Sequence, residues 1–553
     1  MAKRRAADGS ADSSEVSTIS GEEGGGTESI GEHADTKGIS SLDVAWLMLS
    51  DIVGTSVLTF AGVARQLGWL PTVLFIAGLF PASLFVSVCM AKARTLVLEI
   101  AMLRRTRAPR VETMGEMAKA TIRSPRATSL VYLAVYGYTL LGQASYLLVL
   151  GESLQDVLLS DTFCIYTAVV IGCAFLALPV IRTRQLAESV TLCFVNTLLI
   201  VTVVVVALAS IAMEGRPPCA KSPAVNPELS FFSAMGAATN VVYSYAGQWM
   251  YFEMMDTMEE PRDFPRAFCI SGPVMVATYL TVALVGYYYG VEEGNIIEGM
   301  PRGNTMRVVA VLLFLHVMVV YLIKSVVLQR YFHRRFSPGD VEARTPASFA
   351  KHGGLGVLML GFGFVVANAV PFFSELLGLI GGFCGGPVNF IFPIFIYLVA
   401  LGRRDDLLVH DGANTLESPV VTAEDNLSLR PTSYGTMAFG NSENDGGPRS
   451  SEMGEVQGSN SGFSSSIGDE SDEDFQWEES SVKAACRGLR ALPAFDLAVI
   501  AAICVFILLT MVFGVTDVVS QIIKKSGEFG APFTCHALRF EGTNVTNASS
   551  CSI

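Results

Sequence analysis

Long apolar runs separated by polar stretches dominate the chain. A membrane-spanning helix needs roughly 20 mostly apolar residues. Eleven runs meet that length, near 43–64, 70–91, 128–150, 162–181, 187–213, 231–252, 268–290, 306–329, 353–374, 377–401 and 494–517. They predict an all-α polytopic membrane protein with eleven transmembrane helices, ten of them within 41–401. Gly and Pro interrupt several runs, as expected of helices that pack on one another rather than face lipid alone.

Composition sharpens this picture. The 553 residues are 51% hydrophobic and 16% charged, with a net charge of −13. Mean hydropathy is +0.46. The acidic excess is confined to two segments. Residues 1–40 carry 4 Lys/Arg against 8 Asp/Glu, and residues 402–485 carry 5 against 17. The remaining body holds 29 and 26 of the chain's 38 basic and 51 acidic residues, so it is apolar and nearly neutral. This excludes a soluble enzyme, a nucleic-acid binder with a basic face and a secreted disulfide scaffold. The lipid bilayer is the expected partner. Residues 1–40 lack a secretory core and are expected as a disordered tail, as is the acidic insert 402–493. Residues 518–553 form a C-terminal tail.

Charge in the loops orients the spans. The loop after the second span carries nine Lys/Arg, from Lys92 to Arg126, and the loop after the eighth carries Arg330, Arg334, Arg335, Arg344 and Lys351. The loops after the third and ninth spans carry none. The N-terminus and the insert are therefore expected in the cytoplasm, and the C-terminal tail outside or in a lumen. That tail holds two glycosylation sequons, at Asn544 and Asn547, which are used only on the luminal side. Cys535 and Cys551 share that oxidising side and are expected as a possible disulfide, with Cys219 as a competitor. Cys89, Cys164, Cys173, Cys193, Cys269, Cys384 and Cys504 lie in apolar runs and read as buried thiols. No CxxC pair is present, and no metal site is expected.

Two spans look broken. The middle of the first, Asp51-Ile52-Val53-Gly54-Thr55-Ser56, is small and polar at membrane depth, and so is Ser244-Tyr245-Ala246-Gly247-Gln248 in the sixth. Interruptions five spans apart are what a five-plus-five inverted repeat predicts. Half-helix N-termini then attract a carboxylate, and half-helix C-termini a cation. An α-amino acid carries both groups. On this reading Gly54, Thr55 and Ser56 hold the carboxylate. Ser244, Tyr245, Ala246 and Gly247 present carbonyls to the ammonium. Tyr138 and Tyr321 line the side-chain pocket.

The same residues carry a resemblance. The segment IVGTSVLTFAGVARQLGW (52–69) resembles the first-span signature of the amino acid/auxin permease family. YSYAGQWMYFEMMDTMEEP in span 6 is similar to that family's aromatic-Gly-His, Glu, Thr-Met-x-x-Pro block. FLHVMVVYL in span 8 resembles the plant-type lysine/histidine branch, and PFFSELLGLIGGFCGGPVNFIFPIFIYL (371–398) the family's Gly-Gly-Phe block. The resemblance implies a LeuT-like bundle with broken helices 1 and 6. It also implies secondary active transport of amino acids driven by protons, or in some branches by sodium. Ser56 and Gln248 stand where the family has Gly and His.

Ionisable residues at membrane depth are functional candidates. Asp51, Glu253 and His316 are the expected ion-coupling or gating groups, while Lys324 and Arg65 are expected to snorkel to span ends. There is no HExxH, GxSxG or P-loop, which argues against an enzyme or a nucleotide-driven pump. No cofactor is expected beyond the coupling ion, H+ or else Na+. A proton-coupled amino acid symporter of the plasma membrane is the leading expectation. The alternatives are a sodium-coupled carrier, a vacuolar or lysosomal exporter, and an amino acid sensor without flux.

Overall fold

The computed structural model describes residues 38–414 and 479–529 together with Phe533, except 107, 160–162, 185–188, 219, 292–294, 342 and 344. Asn544, Asn547, Cys535, Cys551 and most of both acidic segments lie outside the described residues. Seventeen α-helices follow in order: α1 (Ser41–Ile52), α2 (Phe60–Leu67), α3 (Trp69–Leu103), α4 (Met114–Thr121), α5 (Pro125–Leu158), α6 (Ile165–Arg182), α7 (Ser189–Glu214), α8 (Phe231–Ser244), α9 (Tyr251–Thr257), α10 (Phe264–Tyr288), α11 (Asn304–Phe336), α12 (Pro346–Ala369), α13 (Phe373–Ile380), α14 (Phe392–Asn414), α15 (Ser481–Ala491), α16 (Ala494–Leu509) and α17 (Val515–Phe529). Wide π turns join α13 to α14 (Gly381–Gly385 and Pro387–Ile391) and α16 to α17 (Thr510–Gly514).

Among the described residues, nine helices are long and apolar enough to cross a bilayer. The pair Ser41–Ser50 and Thr55–Leu67, bent by 49°, makes a tenth if taken as one span. The remaining expected span, the sixth at 231–252, is divided between α8 and α9. The 14 residues of α8 reach only about 21 Å at 1.5 Å per residue, short of a hydrocarbon core of about 30 Å.

The divided helices run in opposite directions and are tied at both ends, at one of them by an isolated parallel bridge between Ile39 and Met258. Ile39, just before α1, donates its N–H to Thr257 O at the end of α9 (2.9 Å) and accepts from Glu259 N (3.2 Å). At the other end, Leu67 O, closing α2, accepts from Asn226 N (3.1 Å) in the segment leading to α8. These two ties set the breaks at one level. Around them the helices differ in burial. The most apolar window of Pro125–Leu158 is 72% buried and that of Ala494–Gly527 only 28%. α5 is therefore a central helix and α16–α17 a peripheral pair.

Two local expectations change. The stretch 402–493 is helical at both ends, because α14 runs on to Asn414 and α15 covers Ser481–Ala491. Its Ala484, Ala485 and Gly488 are buried and Arg487 pairs with Asp406 (2.7 Å) and Glu479 (2.8 Å). Cys164, expected as a buried thiol, is disulfide-bonded. It stands at the N-cap of α6, at the very start of the apolar run. The other described cysteines are free thiols.

The α14–α15 contact is main chain against main chain. A Cβ at Gly402 would lie 1.9 Å from Ala484 O, and one at Gly488 would lie 2.2 Å from Leu398 O. Gly488→Leu should therefore lift α15 off α14 and speed tryptic cleavage at Arg487 and Arg490 about tenfold, as read by timed digestion in detergent. An unchanged rate would show that this close approach does not hold the helix.

Candidate functional site

The first break begins where α1 runs into glycine. Val53 closes the helix at φ −79°, ψ 66°, and Gly54 turns extended, at φ −104°, ψ −154°. A 3-10 turn, Thr55–Thr59, then leads directly into α2, with no side chain capping its start. The amides at its head thus form a positive helix end. The second break follows Ser244. Tyr245, Ala246 and Gly247 leave the helix before a 3-10 turn at Gln248–Met250 opens α9. Gly247 faces the first break so closely that a Cβ there would meet Ile52 Cγ1 at 3.1 Å.

Side chains repair the freed main chain. The Tyr279 hydroxyl of α10 lies 2.9 Å from both Ile52 O and Ser244 O and shares its one proton between the two breaks. Tyr138 of α5 donates to Ala246 O (2.9 Å). Asn389, in the second π turn, accepts the Trp249 N–H through Oδ1 (3.0 Å) and donates from Nδ2 to Gly385 O (2.9 Å). A small cavity remains between the breaks. Ile52, Gly54, Thr55 and Ser56 form one wall, and Ser244, Ala246 and Gly247 a second. Tyr138, Tyr146, Tyr243 and Lys324 complete it. Its volume is about 20 Å3, room for a water or so.

Most of the expected binding residues come together here, and two do not. The Tyr245 side chain turns into the core and donates to Ile76 O (2.7 Å). Tyr321 is fully buried and stands outside the cavity lining. The expected coupling groups are not in the lining either. His316 is fully buried. Its Nδ1 lies 3.2 Å from Asn196 O, and Asn196 Nδ2 donates to Ser50 Oγ (3.1 Å). These two bonds join α11, α7 and α1, and none of the three residues lines the cavity. Glu253 sits in the first turn of α9, and its Oε2 is buried without a hydrogen-bond partner. Asp51 is in the last turn of α1, and its side chain lies outside those described. Beyond the cavity, Arg334 lies 3.6 Å from Glu112 and 3.7 Å from Glu116. Burial, and then the Glu112 carboxylate, push the Glu116 carboxyl up from its usual range, against Arg334.

Four lining residues were not among the expected site residues, Ile52 within the first break and three others. Tyr146 is eight positions after Tyr138, on the same stripe of α5, and this spacing was a usable signal. Tyr243 precedes the second break by two residues. Lys324 was expected at a span end, but α11 continues for twelve residues past it, to Phe336. Its Nζ donates to Tyr146 Oη (2.8 Å) instead of reaching an interface. Arg65, by contrast, is exposed at the end of α2.

The fold and site define a multi-pass helical membrane protein with a small cavity between two interrupted helices. The chain belongs to the family of transmembrane amino acid transporter proteins, whose profile matches residues 37–405. It is 28% identical over 180 residues to the N amino acid transport system protein of Neurospora crassa, covering 31% of this chain and 37% of the relative. It is 27% identical over 190 residues to lysine histidine transporter-like 3 of Arabidopsis thaliana, covering 31% and 39%. The matched stretch thus spans little more than a third of each relative's length. A manganese transporter mutant from Eremococcus coleocola aligns over 90% of this chain and 98% of its own, at 10% identity and a TM-score of 0.38. That likeness is too distant to carry an argument.

The repair of the breaks is testable. Tyr279→Phe leaves two buried carbonyls short of a donor, and Asn389→Leu leaves the Trp249 N–H without an acceptor. Each should cost about 1–3 kcal/mol and lower the melting temperature of the protein in detergent. Melting indistinguishable from the parent protein would show that the hydroxyl and amide are not needed there.

Proposed function

We propose that this protein is a secondary active amino acid transporter, working by proton-coupled symport and alternating access. One observation carries the reading. The breaks of two antiparallel helices face each other across a cavity, with an uncapped helix start on one side and carbonyl ends held by phenol donors on the other. Such a site suits a zwitterion. A cavity of about 20 Å3 is smaller than an amino acid, so loading requires half-helices to swing apart, as an alternating-access cycle demands. The names of the two relatives agree with amino acid cargo.

Gly54, Thr55 and Ser56 take the carboxylate on this reading. Ser244 and Ala246 offer the ammonium the second lone pairs of carbonyls already bonded to Tyr279 and Tyr138. Asp51, Glu253 and His316 act behind the cavity as proton-coupling or gating groups, and the bundle is a LeuT-like inverted repeat. The N-terminus and acidic insert face the cytoplasm and the sequon-bearing tail faces outward. The disulfide-bonded Cys164 supports this orientation, because it follows the Lys/Arg-free loop after the third span and disulfides persist on the oxidising side. The plasma membrane is the favoured location.

Uptake of labelled amino acids into proteoliposomes should rise when the inward side is made more alkaline than the outside. Replacing sodium by choline should leave it unchanged. His316→Gln and Glu253→Gln should each lower the stimulation by the gradient more than exchange at equal pH. Flux that follows sodium and ignores the pH gradient would overturn proton coupling. Binding without any flux would favour a sensor.

A further inference from the structure

We infer that the outward face of α15, together with Arg126 at the start of α5, is a docking surface for anionic phospholipid headgroups. None of its residues lines the cavity, and the surface does not depend on the cargo proposed above.

Both ends of α15 are fixed at points where a span enters the bilayer. Only Leu492 and Pro493 separate it from α16, whose first turn leaves Phe495 75% exposed. At its other end the Ser481 Oγ accepts the Arg123 N–H (2.9 Å), just before α5 begins at Pro125. Arg126, Leu130 and Leu133 of α5, at i, i+4 and i+7, are all exposed, so the outer apolar stripe of α5 starts one turn after Arg126. The 11 residues of α15, about 16 Å of helix, therefore run along the membrane boundary from one span to another.

The two faces of α15 differ. Ala484, Ala485 and Gly488 are buried, with Gly488 against the main chain of α14. Lys483, Cys486 and Arg490, at i, i+3 and i+7, are exposed, and Val482 stands exposed on their flank. Glu479 and Asp406 both pair with Arg487. Among the described residues no carboxylate pairs with Arg126, Lys483 or Arg490. Asp496, half-buried in the first turn of α16, offsets part of their charge. Unpaired bases beside exposed apolar side chains suit a phospholipid, which brings an anion and a hydrocarbon chain together. A soluble anion would satisfy the bases and leave Val482 and Phe495 in water. The orientation proposed above turns this face toward the cytoplasm, whose leaflet carries the anionic lipids. The competing occupant is the chain's own acidic run, GDESDEDF at 468–475.

Hydrogen exchange of the full-length protein in nanodiscs separates the two. The α15 amides should exchange about tenfold more slowly in discs holding about one-third phosphatidylserine than in discs of phosphatidylcholine alone. Salt at about 1 M, where the screening length is about 3 Å, should erase most of that difference. Arg126→Gln, Lys483→Gln and Arg490→Gln combined should make the two kinds of disc equivalent and leave the α14 amides unchanged. The charge-conserving set, Arg126→Lys, Lys483→Arg and Arg490→Lys, should keep the difference. Should the glutamine set also loosen α14, the charge-conserving set decides, since its loss of the difference overturns lipid docking. Equal exchange of α15 in both discs by the parent protein overturns it too. So does slow exchange in phosphatidylcholine discs that is lost when 468–475 is deleted, which assigns the surface to the acidic run.

Discussion

Inside a bilayer no water rescues a stranded amide or carbonyl, so every gap in a helix must be repaired by the protein. That constraint organises this molecule. Two helices come apart at one level, and the groups they release are met by a few side chains: Tyr279 on both breaks, Tyr138 on Ala246 O and Asn389 on Trp249 N. The repairs are unequal. The carbonyl ends of α1 and α8 receive phenol donors, whereas the 3-10 start after Gly54 has no side-chain cap. What the first break leaves toward the cavity is therefore an uncapped helix start.

The ties at both ends explain why the two breaks meet. Ile39 holds the foot of α1 to the end of α9, and Asn226 holds the end of α2 to the approach of α8. A shift of one divided helix against the other would separate Tyr279 from one of its two acceptors. The central burial of α5 places Tyr138 and Tyr146 on the same cavity, one bonded to the second break and the other to Lys324. The site is thus assembled from helices far apart in sequence, and none of them presents it alone.

This division also marks what could be read beforehand. Apolar run length is a local property, so the helical membrane fold was legible, and so were the breaks, where Gly54 and Gly247 sit among small polar residues. The cavity lining at the breaks, Gly54 to Ser56 with Ser244, Ala246 and Gly247, followed from those interruptions. Side-chain direction was not legible. Tyr245 and Ala246 are neighbours, yet the Tyr245 ring turns to Ile76 O while Ala246 lines the cavity, because the helix loses its period at that point. Lys324 was misplaced for a different reason. The apolar run ends near 329, but the helix continues through a charged segment to Phe336, so the end of the hydrophobic signal was not the end of the helix. The helical start and finish of the acidic insert were hidden likewise, since α15 is held by close backbone contact rather than by a long apolar stripe.

The third irregularity, the π turns between α13 and α14, bears on how the site can move. A π turn forgoes the ordinary i→i−4 bonding of an α-helix. Asn389 compensates with both ends of one amide, bonding back to Gly385 O and outward to Trp249 N. Its orientation is thereby set by both bonds, and the bond to Trp249 N is lost if α9 swings away from the π turn. The same holds for Tyr279 between α1 and α8. At membrane depth an intermediate position with these groups half-bonded costs nearly as much as one with them unbonded, because nothing else is present to bond them. The breaks and the π turn therefore favour discrete arrangements over gradual deformation, and a ligand that supplies the missing partners stabilises one of them.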